Sequence, residues 1–253
     1  MKFIKLFLLV IIFNMAVTAS VSAMPSMLHN VPTTDTIAHD NFSLLISYYK
    51  YNSTTTPPAG VSDKSTVFGL EYGYKKLELG VDFIGSKSFT DNGYYAGRTA
   101  GNFKWRIMTE GSDEISLAVG SYYIGAKSYN NQYYKPSPYI VASKTFKDIR
   151  LHLGYQGNIF GYKEVGPENR KNNGVVAGLD AVIYKHPKNP ITLMLDYVGG
   201  PQATYGIGFY QPINQKITWF YSYYSPKDKK LYDGVTPLDK QHFIGITYAF
   251  SAK

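Results

Sequence analysis

The sequence predicts an all-β fold, a closed antiparallel up-and-down transmembrane β-barrel of twelve strands, and three observations predict it. Short segments alternate large apolar residues with small or polar ones, which is strand periodicity. The segments run to roughly nine to eleven residues, the length a tilted strand needs to cross a bilayer, whereas soluble strands average about five or six. The connections between them alternate long and short down the chain, as in barrels with short turns at one rim and loops at the other. Composition agrees, since 24 Tyr and 23 Gly with only 17% charged residues favour strands and turns over helices.

The elements follow in order. Residues 1–23 read as a secretory signal peptide, with Lys2 and Lys5 before an apolar core and Val21, Ser22 and Ala23 at a small-residue cleavage site. Residues 24–40 are polar and contain Pro and Thr, and are expected to form a flexible periplasmic N-terminal segment. The barrel is expected over 41–250, with a C-terminal extension at 251–253. Its strands are read at 41–51, 66–74, 76–84, 98–108, 114–124, 138–146, 149–158, 175–184, 191–198, 203–210, 216–224 and 241–250. Long connections fall at 51–64, 85–97, 126–137, 156–173 and 226–240; tight ones at 74–76, 109–113, 147–148, 185–190 and 211–215. The link at 199–202 is short where a long one is due. An even strand count puts both termini on the periplasmic side.

Sidedness separates a membrane barrel from a soluble one. In the first strand Phe42, Leu44, Ile46 and Tyr48 share a face opposite Ser43, Ser47 and Tyr49; in the third, Leu77, Leu79, Val81 and Phe83 lie opposite Glu78, Gly80 and Asp82. The reading adopted turns the greasy face to lipid and the Gly, Ser, Thr and charged face to a lumen. Tyr48, Tyr72, Tyr74, Tyr123, Tyr155, Tyr197, Tyr221, Tyr223 and Tyr248 gather toward strand ends, where amphipathic rings suit the headgroup zone. Closure then satisfies every backbone donor and acceptor, which hydrocarbon requires.

The last strand, Phe243-Ile244-Gly245-Ile246-Thr247-Tyr248-Ala249-Phe250, resembles the terminal strand of bacterial outer-membrane barrels, alternating and closed by an aromatic residue. That resemblance implies Tyr248 and Phe250 as an insertion signal read by the barrel assembly machinery, and an outer-membrane location reached through the periplasm. Ser251, Ala252 and Lys253 follow where the pattern normally stops. In strand number and size the chain is similar to the small specific porins for nucleosides or acidic oligosaccharides.

The inward faces give a segregated charge map. Basic groups come from the fourth strand (Lys104, Arg106), the sixth (Lys144) and the seventh (Arg150, His152). Acidic groups come from the second and third (Glu71, Glu78, Asp82) and from the eighth and ninth (Asp180, Asp196). Two meanings are open. Opposed walls of unlike charge make a pore selective for small polar or charged solutes. Alternatively the groups are internal salt bridges, Glu78 with Lys104 or Arg106 and Arg150 with Asp180, in a narrow closed barrel acting through its external loops. The hairpins around Glu71 and Asp82 and around Asp180 and Asp196 look alike and should lie on opposite walls.

Catalysis is not expected. None of His29, His39, His152, His186 and His242 stands in the His-x-Ser pair of barrel phospholipases and deacylases, and the Asp-x-His pair of omptin-type proteases is missing. With no Cys and scattered His, no metal or other cofactor is expected. His152 beside Arg150 reads as a lumen residue, and Gly206-Ile207-Gly208 within a strand makes no phosphate loop. The precursor carries +8, and losing Lys2 and Lys5 leaves +6. Secretion argues against nucleic acid as a partner; lipid, lipopolysaccharide, and a small polar solute or oligosaccharide are the expected ones. The loops around Tyr129 to Tyr134 and Tyr162 to Asn173 are suited to sugars or lipopolysaccharide phosphates, though external loops are polar in any case.

Overall fold

A computed structural model describes residues 31–52, 64–86, 98–112, 114–125, 135–159, 164–165, 170–201, 203–227 and 240–252. The strands are β1 (Asn41–Asn52), β2 (Lys64–Tyr74), β3 (Leu77–Ser86), β4 (Arg98–Met108), β5 (Ser116–Ile124), β6 (Ser137–Phe146) and β7 (Ile149–Gln156). A two-residue pair follows, β8 (Glu164–Val165) and β9 (Arg170–Lys171), and then β10 (Gly174–Tyr184), β11 (Ile191–Val198), β12 (Thr204–Pro212), β13 (Ile217–Pro226) and β14 (Lys240–Ser251).

Twelve of these form one closed antiparallel barrel in sequence order, and β14 returns to pair with β1 from Asn41↔Ser251 to Asn52↔Lys240. The small β8–β9 hairpin stands apart, inside the connection expected to be the longest loop. β11 and β12, on either side of the link expected at 199–202, are paired neighbours. The signal segment and the loop around Tyr129 to Tyr134 lie outside the described residues.

Burial decides the sidedness. Leu79 and Leu153 are 47% and 62% exposed, whereas their strand neighbours Glu78 and His152 are each 3% exposed. Ile46, Phe68, Leu70, Phe83, Trp105, Ile140, Leu151, Ile207, Ile244 and Ile246 share the outward rows. The inward rows are small or polar: Ser47, Ala100, Ser116, Ala118, Ser143, Thr192, Thr218, Ser222 and Thr247 are all buried. A soluble barrel inverts this arrangement, because exposed aliphatic rows are tolerated only against an apolar solvent.

Larger inward side chains fit where a facing residue is small. Tyr139 stacks on Tyr122 with ring centroids 4.9 Å apart, and its hydroxyl lies where a Cβ at Gly120 would be. The Asp196 carboxylate similarly fills the space over Gly206.

Candidate solute pathway through the barrel

The inward rows bring nine of the ten expected lumen residues to the interior. Glu71, Glu78 and Asp82 line β2 and β3; Lys104 and Arg106 line β4; Arg150 and His152 line β7; Asp180 and Asp196 line β10 and β11. In the barrel order β2–β3 and β10–β11 stand on opposite walls.

Lys144 corrects the expectation. In β6 the buried row is Ser137, Tyr139, Val141 and Ser143, so Lys144 falls on the outward row with Ile140. Its Nζ reaches back to the rim and donates to the carbonyls of Gly111, Ser112 and Glu114 at 2.9–3.2 Å. A long stem allows an ammonium to leave the lipid face in this way.

The inward groups are extensively paired. Lys104 Nζ lies 3.6 Å from Glu78 Oε1, both side chains almost wholly buried. Arg150 Nε lies 3.6 Å from Glu110 Oε2. The expected Arg150–Asp180 pair does not form, and Asp180 Oδ2 instead lies 2.9 Å from His152 Nε2. Ser143 Oγ is 2.7 Å from His152 Nδ1, so with a neutral ring Ser143 donates to Nδ1 and Nε2–H donates to Asp180. The line Ser143, His152, Asp180 crosses three paired strands, Ser143 directly opposite His152 and Asp180 two residues beyond its partner Gly178, and fixes the imidazole. Asn102 donates to Asp82 Oδ2 at 2.9 Å, and Tyr224 to Asp196 Oδ2 at 2.6 Å. Arg106 Nε is buried with no hydrogen-bond partner among the described residues.

The largest departure concerns the lead expected to hang loose in the periplasm. Its described part, 31–40, is exposed at Ala38 and His39 by the rim and runs from there into the barrel, with Val31, Pro32, Thr33 and Thr34 buried. Asp35 pairs with Arg150 Nη1, Thr34 Oγ1 accepts from Arg150 Nη2 at 2.9 Å, and the Asp35 carbonyl accepts from Lys104 Nζ at 2.8 Å. Ile37 N–H donates to Glu78 Oε2 at 3.0 Å. Val31 joins Ile159, Val176, Met194, Val198 and Tyr210 in one buried apolar cluster. Sequence reasoning missed Thr34, Asp35 and Glu110. The available signal was the apolar Val31 and Ile37 flanking a hydroxyl-rich run, a pattern suited to a polar wall.

Among solved structures, the chain is similar to a KdgM porin, with a TM-score of 0.55 at 12% identity, covering 82% of this chain and 99% of that one. A KdgM porin in complex with disordered oligogalacturonate aligns with a TM-score of 0.53 at 10% identity, over 82% and 99% of the two chains. The fold is that of a small outer-membrane porin. At such identities the likeness concerns the fold alone. A NanC porin aligns less well, with a TM-score of 0.49 at 11% identity over 82% of this chain and 98% of that one. No family model and no curated protein sequence matches the chain.

Proposed function

We propose that this outer-membrane barrel is a solute-specific channel for small polar or charged solutes, with anionic oligosaccharides favoured. The observation that carries the reading is the inner wall itself: a face rich in small polar and charged side chains, on which Lys104, Arg106 and Arg150 stand on β4 and β7. A low-dielectric barrel focuses the field of its charged walls, so these cations, facing the carboxylates of β2–β3 and β10–β11, turn the anionic groups of a solute toward β4 and β7. The KdgM porin that holds oligogalacturonate supports an oligosaccharide as the solute class.

Lipopolysaccharide and the barrel assembly machinery are the partners such a protein meets. Tyr248 and Phe250 are proposed as the insertion signal, supported by the stacking of Phe250 on Phe42 across the closing seam at 5.3 Å.

The test is conductance of the refolded chain in planar bilayers under a salt gradient. Discrete conductance steps are expected, with the reversal potential moving toward the cation side in Arg106→Gln. Absence of current from the parent and from every variant, including those that release the segment described next, would overturn the channel.

A further inference from the structure

The segment 31–40 enters the lumen at a defined corner. Asp40 has a φ of 58°, a left-handed conformation that Asp tolerates, and Asn41 N–H donates to the Ala38 carbonyl at 3.1 Å. Tyr72 Oη donates to Asp40 Oδ1 at 3.0 Å, pinning that corner to the rim. From there, ten extended residues reach at most about 35 Å, enough to run the length of a bilayer-spanning barrel.

Two features make the segment a guest in the lumen rather than part of the wall. The barrel closes without it, because β1 already pairs with β14 on one edge and β2 on the other. Its hold on β3, β4 and β7 runs through side chains of the wall: Glu78, Lys104 and Arg150. Lys104 and Arg150 receive a backbone carbonyl, a hydroxyl and a carboxylate from the segment, and Glu78 accepts its Ile37 N–H.

We propose that residues 31–40 form a reversible internal plug, locked by Asp35 on Arg150, which an extended carboxylate-bearing solute displaces by competing for that guanidinium. The gating role rests on the channel reading, whereas displacement of the segment does not. Thr34 is fully buried in the seated plug, so its exposure reports release. The chain has no Cys, so Thr34→Cys gives a single reporter thiol.

The experiment measures maleimide labelling of Thr34→Cys in the full mature chain refolded in lipid vesicles, alongside single-channel current. Labelling is expected to be slow in the otherwise unaltered protein. In Asp35→Asn and in Arg150→Gln it should rise about tenfold or more, the shift that loss of a charge-assisted hydrogen bond produces, with a parallel gain in open time. The double reversal Asp35→Arg with Arg150→Asp should restore protection, and Asp35→Asn leaves every barrel strand untouched. A short oligoglutamate peptide should speed labelling of the parent, and oligoglutamine should not. Equal protection in parent and single-charge variants would overturn the proposal, as would rapid labelling of the parent without peptide. Raised labelling without current in any variant would support the displaceable segment and overturn the channel reading.

Discussion

Removing one charge from the Glu78–Lys104 pair leaves the other stranded where water does not reach, since the two residues are 3% and 1% exposed. Breaking a buried pair in this way costs about 3–5 kcal/mol, whereas replacing both partners by groups of similar size is often neutral. Lys104→Met alone is therefore expected to lower barrel stability by about that amount, and Glu78→Gln with Lys104→Met to recover most of it. Urea unfolding from lipid vesicles measures both; equal losses in the single and double variants would mean that the pair is hydrated. The same logic accounts for His152, whose two ring nitrogens are engaged by Ser143 and Asp180, leaving a buried imidazole with no unmet polar atom.

At the scale of the elements, β7 was legible from sequence because its faces differ in kind: Ile149, Leu151 and Leu153 alternate with Arg150 and His152. β6 was not fully legible. It carries Tyr139 and Val141 on one row and Pro138 and Ile140 on the other, so size and polarity cannot fix its phase, and Lys144 was placed on the wrong side. The lead segment was opaque for another reason. Its partners Glu78, Lys104 and Arg150 lie 41 to 116 residues away, and no local pattern encodes such a contact. One local residue does bear its mark. A Cβ at Gly73 would run into the carbonyl oxygens of Ile37 and Ala38, so only glycine lets the segment pass the end of β2. Gly73→Val is expected to unseat the segment while keeping the ladder, since Gly73 pairs with Asn41 and Glu78 through backbone and β-branched residues suit strands. Thr34→Cys labelling as fast as in Asp35→Asn is the expected result, and unchanged protection would place the segment's path elsewhere.

For the whole molecule, one physical condition organises the rest: the solvent outside the barrel is hydrocarbon. Closure from β1 to β14 removes the unpaired edge that lipid forbids, and the outward rows match that solvent while the inward rows collect every buried charge among the described residues. The two faces must therefore respond oppositely to a new charge. Leu153 is 62% exposed at the centre of β7, so in water Leu153→Arg should alter stability by no more than about 0.5 kcal/mol. In a bilayer the same change puts a guanidinium near the midplane, at a cost of about 2–4 kcal/mol. The expected outcome of refolding into vesicles is a loss of that size for Leu153→Arg. A smaller loss is expected for Ile213→Arg, which is also exposed, at 52%, but lies in the turn 213–216 at the rim, where the cost falls to about 0–1 kcal/mol. Equal, small losses at both positions would mean that water bathes the outward rows, and the lumen-facing assignment of Glu78, Lys104 and Arg150 would then need another explanation.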